Sequence, residues 1–354
     1  MKRFYIILII AFVFTQLETN AQGCVAIRAN GSSCSLLKPG TDKGWHLNFN
    51  TRYFKSYKHF VGTIEQKHRT EEGSEVINYA FAWDFTLTRT LNKYWSLSVG
   101  IPLLSNVRSS LYEHGGSRHH TRSFGLGDLR LTAYRWVFDP AKAHKGNLQV
   151  GAGLKLATGD YRVQDFFYRA DGVEVLAPVD QSIQLGDGGT GFIAELNGYY
   201  NFSHKVGVYG NFYYLMNPRE QNGTLKSNRI SRTDSLYGTI TQSVADQYML
   251  RGGVSFMANR FTFSGGVRME CIPSSDLIGG DQGFRRPGIV ISAEPTIAYQ
   301  AKNINLYFSM PWAIQRNRTQ SDSDKRRTVD SGEHRQGDAA FADYLVSAGV
   351  SFRL

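Results

Sequence analysis

The stretch Tyr344-Leu345-Val346-Ser347-Ala348-Gly349-Val350-Ser351-Phe352-Arg353-Leu354 presents two different surfaces. Tyr344, Val346, Ala348, Val350, Phe352 and Leu354 fall on one face, and Leu345, Ser347, Gly349, Ser351 and Arg353 on the other. A period of two belongs to a strand with one greasy and one wet side. In a soluble sandwich the greasy side meets a second sheet, whereas in a membrane barrel it meets lipid and the wet side lines the lumen. At the end of the chain, such a segment predicts the closing strand of an outer-membrane β-barrel, the strand that barrel-assembly machinery would engage.

The remaining sequence supports the barrel. Lys2 and Arg3 precede an apolar run from Phe4 to Phe14, and Thr19 and Ala21 form a small-x-small cleavage site before Gln22. Residues 1–21 therefore read as a Sec-type signal peptide. The run is shorter than the roughly 18 to 20 residues a spanning helix needs, and no other apolar stretch approaches that length. Gly is plentiful at 36, Tyr numbers 19 and Phe 22, while mean hydropathy is negative. Alternation reconciles these facts, because a barrel shows lipid only every second residue. The formal net charge is +10. Export excludes nucleic acid as its partner and leaves anionic lipid, lipopolysaccharide or anionic solutes.

Twelve segments of roughly nine to eleven residues show the alternation. The clearest sets Ile77, Tyr79, Phe81, Trp83, Phe85 and Leu87 against Asn78, Ala80, Ala82, Asp84, Thr86 and Thr88. The next carries Trp95, Leu97, Val99 and Ile101 outward, with Pro102 expected at its rim. Long segments near residues 58–75, 103–125, 159–190, 217–246, 272–288 and 315–340 alternate with five short connections. Long outer loops and short periplasmic turns sort in this way, so the expected fold is all-β. It is a transmembrane antiparallel barrel of about 12 strands over residues 44–354.

Several stretches carry a resemblance. They are Cys24-Val25-Ala26-Ile27-Arg28, Ser98-Val99-Gly100-Ile101-Pro102-Leu103 and Phe124-Gly125-Leu126-Gly127-Asp128-Leu129. Two more are Leu154-Lys155-Leu156-Ala157-Thr158-Gly159-Asp160-Tyr161 and Leu185-Gly186-Asp187-Gly188-Gly189-Thr190-Gly191. Over most of the mature chain the sequence resembles the outer-membrane transporters grouped with the meta-pathway of phenol degradation. The resemblance implies passage of small, often aromatic or hydrophobic solutes. Physically, the Gly-rich motifs suit strand ends, where the backbone needs freedom or close approach.

Extrapolated alternation points Arg52, Asp84, Arg89, Asp128, Arg130, Lys155, Glu195, Arg251, Arg268, Glu270 and Glu294 into the lumen. They form either a mixed-charge constriction that selects solutes or a set of mutual ion pairs that fills the bore. Residues 22–43 precede the first strand and either plug the lumen from the periplasmic side or form a short periplasmic tail. Cys24 and Cys34 are close enough to bridge in an oxidising compartment. Cys24 as a lipidated residue would lack the usual leucine-led signal. No His-x-Ser pair lies on a lipid-facing strand, and no spacing among Glu113, His114, His119, His120 and Asp160 singles out a protease or metal site. The expectation is a cofactor-free, non-enzymatic channel for small solutes. The alternative is a barrel-anchored protein whose basic loops, at Arg118 to Arg122 and Lys325-Arg326-Arg327, bind a partner or lipopolysaccharide.

Overall fold

The computed structural model describes residues 43–354. Twelve antiparallel strands form one sheet. They are β1 Gly44–Val61, β2 Ile77–Thr90, β3 Trp95–Ser110 and β4, whose two segments are His119–Leu126 and Arg130–Trp136. Next come β5 Gly146–Lys155, β6 Gly191–Asn201, β7 Val206–Met216, β8 Gln247–Ala258, β9 Phe261–Ile272 and β10 Gly288–Gln300. Ile304–Ser309 and Trp312–Asn317 make up β11, and β12 is Ala339–Arg353. The sheet closes on itself because β12 pairs with β1 from His46↔Arg353 to Phe60↔Ala339.

Exposed large apolar side chains occur on every strand, among them Leu97, Leu131, Val150, Phe192, Val254 and Leu306. Such a continuous apolar band far exceeds the patches that soluble monomers tolerate and matches a surface facing hydrocarbon. Trp45, Trp95, Phe202 and Phe261 lie exposed beside the short turns, where an interfacial girdle belongs. Among the described residues, no helix is long and apolar enough to cross a membrane. Cys271 is buried as a free thiol in the described structure, against Ile289, Tyr248 and Met269. Cys24 and Cys34 lie outside the described residues.

Two strands are interrupted. The expectation that Pro102 ends the third strand is corrected: β3 runs on to Ser110, with Asp84 opposite Pro102. On its other side β4 slips by one residue, pairing Gly100↔Arg130 below and Leu103↔Leu126 above. Pro102 thus sits beside a bulge, where its missing N–H leaves no ladder bond unmade. In β11, Met310 and Pro311 break the ladder, and above them only Trp312↔Tyr344 pairs with β12. There Arg316 bridges the seam by donating Nε to the Ala342 carbonyl at 3.0 Å and Nη2 to Asp343 at 2.5 Å.

The interior is walled by tyrosines laid over glycines. The Cβ that Gly151 lacks would lie 2.7 Å from Cε1 of Tyr134 and 3.1 Å from Cβ of Glu195. Only a bare backbone lets the Tyr134 ring rest on the wall there. Gly151→Val should therefore destabilise the barrel by about 1–3 kcal/mol, read as a lower urea midpoint for loss of heat-shifted gel mobility. Adding Tyr134→Ala should recover part of the loss, and purely additive effects would refute this packing.

Candidate functional site: the occluded interior

Interior side chains come from alternate positions of each strand. Arg52, Arg130, Lys155, Glu195, Arg251, Arg268, Glu270 and Glu294 are buried, while their strand neighbours face outward. Asp84 reaches inward to Arg52, accepting from Nε at 2.7 Å. Arg268 meets Glu270 at 2.7 Å and Glu294 at 3.6 Å, and Arg251 meets Glu294 at 3.5 Å. Glu294 also accepts from Ser309 Oγ at 3.2 Å. Arg89 departs from the sequence expectation: it is exposed and stacks on Trp45, its guanidinium carbon 4.8 Å from the ring. It shares the outward face with Phe85 and Leu87, as strand parity requires.

This polar belt separates two cavities. One of about 700 Å³ opens at the turn end and is lined by His46, Thr262, Lys302 and Arg353 among others. The other, of about 150 Å³, lies under the outer loops and includes Arg52, Leu104, Arg130 and Ile272 in its wall. Along β9, Thr262 lines the lower cavity and Ile272 the upper one, and Arg268 falls between them.

The roof of the upper cavity is a loop that enters the barrel. After an outer hairpin of Gln164–Tyr168 and Glu174–Pro178, the chain makes a 3-10 turn at Gln181–Ile183 with Val179 and Ile183 fully buried. Asp180 caps the turn, accepting from Ser182 N at 2.9 Å. It also takes an ion pair from Arg286 and another from Arg108 at 3.5 Å. Burial alone would raise the Asp180 carboxyl, but the charges of Arg108 and Arg286 outweigh it and hold the group far below the usual carboxylate range. Leu185 then packs on Ala82 and Leu104. Arg285, buried beside this roof, pairs with Asp276 at 2.9 and 2.7 Å and donates to Ser243 Oγ at 2.8 Å.

Three glycine-rich motifs, far apart in sequence, meet at the base of this loop. Asp128 sits in the β4 bulge and accepts from Gly159 N at 2.9 Å and Asp187 N at 3.2 Å. Lys155, fully buried at the end of β5, pairs with Asp187 and lies 3.9 Å from Asp128. The Asp160 carbonyl accepts from Leu185 N and Gly186 N, both at 3.1 Å. A Cβ on Gly186 would come within 2.7 Å of Asp128 Oδ1, so the segments can approach only as glycine. Both ends of the inward loop are tied here. The sequence showed these motifs as strand ends, but their mutual contact and the entry of the loop carried no periodic signal.

The rim histidines are packed rather than assembled around an ion. His114 is buried and stacks on Phe167 at 5.3 Å, His119 stacks on Tyr168 at 4.3 Å, and Glu113 pairs with Arg108 at 2.8 Å. Among the described residues no three His, Cys, Asp or Glu side chains converge as a metal site.

No family model matches the chain, and no curated protein matches it. Solved structures do. The COG4313 outer membrane channel from Pseudomonas putida F1 aligns with a TM-score of 0.54 at 11% identity, over 90% of this chain and 98% of that one. The likeness is one of fold. The NanC porin (TM-score 0.40, 8% identity, 86% of this chain and 100% of that one) is also similar. So is the TodX deltaS2S3 mutant monoaromatic hydrocarbon channel (0.44, 9%, 95% and 99%). The fold of this chain is that of the COG4313 channel, a closed antiparallel β-barrel of 12 strands.

Removing the central cation of the loop anchor leaves two carboxylates facing each other. Lys155→Met should weaken the anchor by about 3–5 kcal/mol. Limited proteolysis from the outer side should then cleave within residues 160–180 while the barrel keeps its heat-shifted mobility. At the outer rim, His59 Nε2 accepts from Val76 N at 2.9 Å, leaving Nδ1 to donate to Asp338 at 2.8 Å. Burial would raise Asp338, but the His59 hydrogen bond and the nearby charges, including Arg69, hold it at about 2 against an ordinary 3.8. A depressed carboxyl contributes stability above its unfolded pKa and loses it as pH falls through the folded one. Hydrogen exchange at Phe60 and Ala339 should stay slow from neutral pH to about 3.8 and accelerate towards about 2.

Proposed function

We propose that this protein is a passive channel of the outer membrane that conducts small solutes without ATP, redox cofactor or chemical conversion. The observation that carries the reading is the interior itself. A closed barrel encloses a cavity at each end, with a polar belt between them. Solutes would enter beneath the loop held by Asp180, pass the Arg251, Arg268 and Glu294 belt, and leave through the wide lower cavity. A narrow polar path with weak contacts lets a solute both enter and leave. The chain would reach the membrane through the signal peptide at residues 1–21, with its last strand read by the barrel-assembly machinery and its loops bathed in lipopolysaccharide.

The sequence resemblance to transporters of the phenol-degradation meta-pathway type favours hydrophobic or aromatic cargo. Residues 22–43 would sit at the periplasmic mouth, whether as plug or tail. Planar-bilayer recordings of the refolded mature protein test the reading: discrete conductance steps are expected. Asp180→Asn frees Arg108 and Arg286 from their shared carboxylate, so its steps should be larger or longer-lived than those of the parent. Silence from protein with heat-shifted mobility in both forms would overturn the channel and favour a barrel-anchored binding protein.

A further inference from the structure

We propose that the upper cavity binds a small organic carboxylate with a ring-sized apolar body, and that Arg130 is its counter-ion. The inference rests on the channel reading only for the ligand's place in a transport path.

The cavity wall is electropositive. Arg52, Arg130, Lys155 and Arg286 line it, against Asp128 and Asp187. Three of the cations are committed elsewhere: Arg52 to Asp84, Lys155 to Asp187 and Arg286 to Asp180. Arg130 is not. It is only 7% exposed, yet its Nε and Nη1 have no hydrogen-bond partner. The Tyr213 ring lies 5.6 Å from its guanidinium carbon, and Glu195 attracts it through space without reaching it as an ion pair.

A desolvated guanidinium with idle donors is costly unless something occupies them. The same interior shows what a satisfied one looks like, since Arg285 engages Asp276 through two parallel N–H bonds. A ligand carboxylate offers Arg130 the same fork.

The rest of the wall selects the body behind that carboxylate. Ala82, Leu104 and Leu185 pack together on one side, and Leu215 and Ile272 stand in the wall as well. The volume of about 150 Å³ is a size that accepts a benzene-sized molecule when the lining is apolar. An inorganic anion would satisfy Arg130 and leave the apolar wall wet. A neutral hydrocarbon would cover the wall and leave Arg130 idle, and a cation would be repelled. A ring bearing a carboxylate meets both demands, with its ring against Leu104 and Leu185 and its charge on Arg130.

Calorimetric titration of benzoate, benzyl alcohol and acetate into the micelle-solubilised mature protein, with empty micelles as blank, tests the site. Benzoate should bind about tenfold or more tightly than either other probe, and Arg130→Gln should weaken benzoate about tenfold or more while leaving benzyl alcohol unchanged. Arg130→Lys, which keeps the charge and loses the fork, should fall between. Equal affinity for benzoate and benzyl alcohol, equal affinity for benzoate and acetate, or undiminished benzoate binding by Arg130→Gln would each overturn the proposal. If neither variant keeps heat-shifted mobility, the three probes on the parent protein decide alone. Bilayer recordings on the same samples separate the two ideas. Benzoate binding without conductance would sink the channel and spare the site, and conductance without benzoate preference would do the reverse.

Discussion

Everything in this molecule depends on the ladder between β12 and β1. Hydrocarbon offers no partner to a backbone N–H or carbonyl, so a sheet in lipid is viable only as a ring without edges. Pairing from His46↔Arg353 to Phe60↔Ala339 makes that ring. Closure turns one face of each strand to lipid and confines the other. The charges on the confined face are thereby removed from both solvents and must be matched inside.

The matching is most complete in the belt of Arg251, Arg268, Glu270 and Glu294, where each charge has opposite charges within reach. Such pairs keep the lumen polar while leaving no large net field to trap an ion. Among the described residues Arg130 and Glu195 are exceptions, neither making an ion pair, and the position of Arg130 in the cavity beneath the loop gives its exception a use. The loop depends on the same economy of charge. Asp180 draws two arginines from β3 and the last outer loop but one, and Lys155 gathers two aspartates at the loop's base. Together they hold a segment inside a barrel that twelve strands alone would leave more open.

Much of the fold was legible in the order of residues. The outward set on β6, Phe192, Ala194, Leu196 and Tyr200, and its long-and-short loop alternation could be read because each residue's orientation depends only on its neighbours two places away. Three features resisted that reading. Pro102 lies within β3 because a bulge on β4, a separate part of the chain, relieves its missing N–H. Arg89 is exposed on the outward face, stacked on Trp45, because parity with Leu87 overrides the ordinary preference of an arginine for the wet face. The inward course of residues 179–189 follows from contacts to Arg108, Arg286, Ser123 and Asn106, which no local pattern announces.

What the sequence by itself determined is the barrel, its strand count and the two faces of its wall, since periodicity of two is a local property imposed by lipid on one side and water on the other. Only the tertiary structure decided which charges meet, which loop enters and which arginine is left for a ligand. Those outcomes rest on register and closure, which bring Lys155 to Asp187, Arg286 to Asp180 and Arg130 to the Tyr213 face across long intervals of chain. A shift of one residue in any ladder would exchange wall for lumen and dissolve every one of those contacts.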